Sequence, residues 1–178
     1  VFMVINLSGV MSSHQQAGKW MYILAWICGL GLMTFVFSDL LDRQSNPNRA
    51  PESVTLANQT EVRLKQNRAG HYVTAGTING VPVEFLVDTG ATDVAIPAHM
   101  QNKLGLQVQG SGLAQTANGV VRVSRTTLDS VTIGDIEVRN VRANLNPGMN
   151  DNQILLGMSV LTQLEFTQRG DWLILRTL

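Results

Sequence analysis

Cysteine is nearly missing from this chain: Cys28 is the single one, and it lies inside an apolar run. A disulfide framework within the chain is thereby excluded, and so is a cysteine-rich metal site. Net charge is missing too. Lys+Arg and Asp+Glu stand at 13 each, so the overall charge suggests neither nucleic acid nor an acidic substrate as partner. His14, His71 and His99 lack ligand-like spacing, and neither a metal nor a cofactor is expected.

Charge is absent altogether from residues 20–37, which run from Trp20 to Phe37. At the helical rise this stretch covers roughly 27 Å, close to the roughly 30 Å hydrocarbon core of a bilayer. Trp20 and Tyr22 sit at one end, where interface-seeking aromatics belong. A signal peptide would have a shorter apolar region and a small-x-small cleavage site, which Phe37-Ser38-Asp39-Leu40-Leu41 lacks. A core helix would show a polar face, and this run has none. The expectation is one transmembrane anchor over 20–37, preceded by a tail over 1–19, with Met3 or Met11 as a candidate start. Lys19 precedes the run and Arg43 and Arg49 follow it, so the Lys/Arg count does not favour a cytoplasmic N-terminus. The small size of the tail does, and the main domain is expected outside. Residues 38–60 are polar, and Asn46-Pro47-Asn48 and Pro51 break any helix, so they are read as a flexible tether. A cut near residues 46–52 would release a soluble form.

Residues 61–178 change character: short β-branched runs alternate with turn signals, which argues for an all-β domain. Asn79-Gly80 joins strands over 71–78 and 81–87 as a two-residue hairpin. Asn118-Gly119 and Gly134-Asp135 mark two further hairpins. Pro97 and Gly105 frame a short helix over 97–104, and residues 158–163 suit a helical turn. Residues 164–167 and 172–176 finish the chain as strands.

One stretch carries the chemistry. Phe85-Leu86-Val87-Asp88-Thr89-Gly90-Ala91-Thr92 delivers a carboxylate from an apolar strand into a tight turn, and a second apolar strand, ended by Pro97, leaves it. Burying a charge is expensive unless it is paired or hydrogen-bonded, so a site is the sharper explanation and a turn cap the plainer one. Asp93 is a poor second carboxylate, expected at the surface. Further on, Ile154-Leu155-Leu156-Gly157 is an apolar run closed by a glycine.

Hydrophobic-hydrophobic-Asp-Thr-Gly-Ala-Thr resembles the active-site loop of aspartic proteases, and Leu155-Leu156-Gly157 resembles their hydrophobic-hydrophobic-Gly element. With one Asp-Thr-Gly in the chain, the resemblance is to the retropepsins, the single-domain members, and extends from about Val73 to Ile174. It implies a single-lobe, pepsin-like closed β-barrel with one or two short helices behind the N-terminal transmembrane helix. It further implies a homodimeric endopeptidase in which Asp88 of each chain supplies half of the catalytic pair. Thr89 would interlock with the opposite loop, and Gly90 and Ala91 would complete the active-site loop. Ala117, Asn118 and Gly119 would form the tip of a flap over a peptide or protein substrate. Ala95, Ile96 and Val120 are the expected apolar pocket residues. The C-terminal strand would pair either across the dimer or within its own chain. A bacterial inner-membrane protein with a periplasmic protease domain is the corresponding localisation. The competing reading is a non-catalytic module that keeps the fold and holds an extended peptide by strand addition.

Overall fold

The computed structural model describes residues 10–56, 59–116 and 119–178, with side chains from residue 18 onward. It divides into two units, Val1–Asp42 and Arg43–Leu178. Helix α1 runs over Val10–Ser45 and contains the whole uncharged run. It is long and apolar enough to cross a membrane, and the side chains of residues 20–37 are exposed. Two of its hydroxyls bond back along the helix: Thr34 Oγ1 donates to the Leu30 carbonyl at 2.7 Å and Ser38 Oγ to that of Phe35 at 2.9 Å. Such back-bonding is what an apolar surround requires of a helix hydroxyl.

Residues 46–56 are not a free tether. The helix stops where Pro47 removes a donor, as expected. The next residues then enter the folded unit, and Asn46 and Asn48 are buried. Asn48 Nδ2 donates to the Lys65 carbonyl at 2.9 Å and the Val73 carbonyl at 2.7 Å, while Oδ1 accepts from the Lys65 amide at 2.6 Å. Its backbone carbonyl accepts from the Ala75 amide at 3.0 Å. Turn-forming composition describes a solvent loop and an inserted polar bridge equally well, which is why the sequence alone suggests the former. Strand β1 (Glu52–Leu56) then pairs with β2 (Gln59–Lys65), so the folded part also begins before residue 61. With Asn46 and Asn48 buried, a cut near 46–52 requires local opening.

The rest is all-β in the expected order. β3 (Val73–Ile78) and β4 (Val81–Val87) meet at Asn79 and Gly80, whose φ values of 51° and 78° are those of a type I′ turn. β5 (Val94–Pro97) is followed by a single 3-10 turn, Ala98–Met100, where a short helix over 97–104 was expected. Met100, Leu104 and Leu106 bury their side chains there, and Gly105 at φ 64° turns the chain out. β6 (Gly110–Thr116) and β7 (Gly119–Ile133) form the second hairpin, and β7 with β8 (Ile136–Asn146) the third. β9 (Gln153–Leu156) leads into one helical turn, α2 (Met158–Leu161), and β10 (Leu164–Arg169) and β11 (Trp172–Thr177) complete the chain.

Seven strands form a sheet in the order β3-β4-β9-β5-β8-β7-β6. A further pairing of β3 with β7, Thr77 opposite Thr132 and Ile78 opposite Val131, closes six of them into a barrel and leaves β6 as a flange on β7. The single-lobe closed β-barrel with short helical turns is therefore what the chain forms. Its core holds Phe85, Ile78, Ile96, Leu128, Ile133, Ile136, Ile154 and Leu156, all essentially inaccessible. Each such side chain contributes about 1.5–3 kcal/mol by leaving water. The second sheet, β1-β2-β11-β10, adds Val62, Leu64, Leu173 and Leu175 to the same core. Leu175 lies opposite Val62 and Leu173 opposite Leu64. The C-terminal strand thus pairs within its own chain on both edges.

Candidate active site

Strand β4 ends at Val87, and its parallel neighbour β9 ends beside it at Leu156. Asp88 and Gly157 therefore leave the barrel side by side, with the Asp88 amide donating to the Leu156 carbonyl at 3.1 Å. The chain turns at once: the Ala91 amide donates to the Asp88 carbonyl at 3.2 Å, and the Gly90 amide to Asp88 Oδ1 at 2.8 Å. One carboxylate oxygen is held by the loop's own backbone, which fixes the side chain's direction. Thr89 and Gly90 are exposed at the tip.

The return strand is pinned by α2. Amides of Met158 and Ser159 donate to the carbonyls of Ala91 and Thr92 at 2.8 and 2.9 Å. Such contact requires a residue without a side chain between them. A methyl built on Gly157 would fall 2.7 Å from the Ala91 carbonyl oxygen and closer still to that of Asp93. The buried Ser159 hydroxyl completes the clamp, donating to the Arg142 carbonyl at 2.8 Å and accepting from the Val94 amide at 3.2 Å. Ser159 is a positioning residue the sequence reading missed. Its only signal is a small hydroxyl residue just inside a helical turn.

Asp88, Gly90 and Ala91 open onto a cleft of about 780 Å³. Ala95 and Leu155, paired across β5 and β9, line it, as do Leu113 and Ala114 of β6 and Val121 and Val123 of β7. Ala95 is where the sequence reading placed it. Ile96 is not: it points the other way along β5 and is fully buried in the core. Val120 lies outside the lining at 61% exposure, and its neighbour Val121 takes the place expected of it. Gly119 closes the β6–β7 hairpin opposite Thr116, whereas Ala117 and Asn118 lie outside the described residues. Leu156 and Gly157 are buried beneath the loop, and Leu155 faces the cleft. Asp93 is at the rim rather than free on the surface, 31% exposed and 3.3 Å from Arg142 Nε. Arg125, Asn144 and Asn146 also line the cleft and were not singled out in the sequence. Among the described residues, no cluster of three His, Cys, Asp or Glu is placed to hold a metal ion.

A single-lobe barrel with an Asp-Thr-Gly turn at the mouth of a hairpin-walled cleft defines the aspartic-protease class. The chain belongs to the family described as "gag-polyprotein putative aspartyl protease", whose model matches residues 74–163. It is 30% identical to an uncharacterized protein of the cobV 5′ region in Sinorhizobium sp, over 95% of this chain and 78% of that one. An uncharacterized protein of Rickettsia prowazekii (strain Madrid E) is 34% identical over 59% of this chain, which spans about half of that relative's length at 46%. Among solved structures, the chain is similar to a retropepsin-like aspartic protease from Rickettsia conorii. The identity is 33% and the TM-score 0.54, covering 71% of this chain and 94% of that one.

Proposed function

We propose that the protein is a membrane-anchored aspartic endopeptidase that works as a homodimer, with Asp88 of each chain forming the catalytic pair. The observation that carries this reading is the placement of Asp88. An apolar strand delivers it to the lining of a cleft of about 780 Å³, with one oxygen held by the Gly90 amide and its loop tip exposed. Asp93 is engaged by Arg142, which leaves one carboxylate per chain for the reaction.

Hydrolysis of a peptide by this route needs two carboxylates. One takes a proton from water as it attacks, and the other gives a proton to the carbonyl oxygen. Like charges about 3 Å apart cannot both ionise, so such a pair shares one proton at mildly acidic pH. A two-fold axis past the Thr89-Gly90 tip would generate the second carboxylate, since isologous symmetry repeats every group. Thr89 would then meet its counterpart below the pair, and the β6–β7 hairpin would close over bound peptide. Because β11 is paired on both edges, strand exchange between chains would use β1 or β10 instead. Helix α1 serves as the anchor, in the inner membrane of a bacterium with the barrel on the periplasmic side. Confinement to a plane would raise the effective concentration for pairing.

The test is the full chain in detergent micelles with a peptide library across pH, alongside D88N. Cleavage by the wild type, lost by about a thousandfold or more in D88N, is expected. Undiminished cleavage by pure D88N contradicts the assignment. Wild-type protein that binds peptides but cuts none at any pH would favour the binding-module reading.

A further inference from the structure

We propose that Arg125 is a specificity-determining residue that selects a carboxylate of the peptide substrate, from an acidic side chain or a free C-terminus. The inference deepens the peptidase reading and rests on the same cleft receiving an extended peptide.

Strand alternation puts Val121, Val123 and Arg125 on one face of β7, and all three line the cleft that contains Asp88. The wall is therefore apolar until Arg125, where it becomes cationic. The opposing strand is shaped to leave room for that guanidinium. A methyl built on Gly112 of β6 would lie 2.8 Å from Arg125 Nε and 3.1 Å from its Nη2. Any side chain at Gly112 would therefore displace the guanidinium from its seat across β6.

Among the described residues Arg125 has no carboxylate within ion-pairing distance, whereas Arg142, two residues along β8 from its cross-strand partner, has one. Arg142 is taken by Asp93 at 3.3 Å, and Asp88 is held by Gly90. Directly across the β7–β8 ladder from Arg125 stands Asn144, which lines the same cleft. Its Oδ1 is buried and accepts no hydrogen bond from any described residue. The cleft thus offers a seated guanidinium with free donors, beside an Asn144 whose Oδ1 is enclosed rather than open to the cleft. A carboxylate accepts from a guanidinium through two parallel bonds. Substrates are accordingly expected to combine apolar side chains, facing Ala95, Val121, Val123 and Leu155, with one carboxylate at the Arg125 position.

Binding and cleavage separate this inference from the reaction it rests on. The probes are end-blocked apolar peptides with a single Glu, Gln or Lys scanned through each position, and the unsubstituted peptide with a free or amidated C-terminus. Affinity is read by fluorescence anisotropy on full-length D88N, alone and combined with R125Q or R125E. At one position, or at the free C-terminus, the carboxylate peptide is expected to bind D88N about ten- to a hundredfold tighter than its neutral counterpart. R125Q should erase that difference, and R125E should transfer the preference to Lys. Preference for internal Glu assigns an acidic side chain, and preference for the free terminus assigns the chain end. Equal affinity for all probes, no binding, or a preference that survives R125Q overturns the proposal. Cleavage by the wild type with no carboxylate preference overturns it too, while leaving the peptidase reading intact. Arg125-dependent binding with no cleavage supports the carboxylate subsite and removes the proposed reaction.

Discussion

Gly157 shows how little space separates the active-site loop from the turn that braces it. The carbonyls of Ala91 and Asp93 occupy the volume a Cβ would need, and both belong to backbone that cannot swing aside. Gly157→Ala is expected to cost about 3 kcal/mol, at the upper end for forced overpacking. It should therefore lower the Tm of the solubilised protein by several degrees and reduce cleavage with it. A melt unchanged within error would show that the loop moves freely. At this scale the sequence was informative wherever chemistry and geometry coincide. Asp88 and Gly157 stand out because a carboxylate at the end of an apolar strand and a glycine closing an apolar run both need a reason. Arg125 and Asn144 do not stand out, because an Arg or Asn in an alternating strand reads as the solvent face. Ile96 misled for the converse reason: every side chain of β5 is buried, so composition cannot say which of them faces the cleft.

Between helix and barrel, a single side chain supplies what a strand partner would. Asn48 satisfies the Lys65 amide, the Lys65 carbonyl and the Val73 carbonyl at once. Asn48→Ala would strand buried backbone groups at about 1–3 kcal/mol each, partly relieved by water. It should loosen β1 and β2 first, read as faster amide exchange across 52–65 before the barrel melts. The neighbouring β2–β11 ladder carries an electrostatic counterpart. Hydrogen bonds from Arg63, then Arg176, hold the Glu61 carboxyl below its ordinary value of 4.5. A lowered folded-state value means stability that is fully present above about pH 4.5 and lost as pH falls through the folded value. Glu61→Gln should thus lower the Tm at neutral pH, by the equivalent of about 1 kcal/mol or less, because both arginine side chains are open to solvent. The gap to wild type should close on acidification, and a gap that persists at low pH would contradict this. These connections were hidden in the sequence because Asn48, Lys65 and Val73, like Glu61 and Arg176, are far apart along the chain.

For the molecule as a whole, the β character was legible from three hairpin signals, each a local property of two or three residues. Barrel closure was not, because the β3–β7 pairing joins Ile78 to Val131 through no local signal. The apolar helix was legible from the absence of charge alone. The proposed dimer rests on arithmetic at the active site, one Asp-Thr-Gly per chain against two carboxylates per reaction, and that arithmetic can be measured. Full-length wild type and D88N are co-solubilised in varied ratios, allowed to exchange subunits, and assayed on one cleavable peptide. If each active site needs Asp88 from both chains, an equal mixture should retain about a quarter of the wild-type rate per total protein. Retention of about half, tracking the wild-type fraction linearly, would mean that each chain cuts alone and would contradict the shared site.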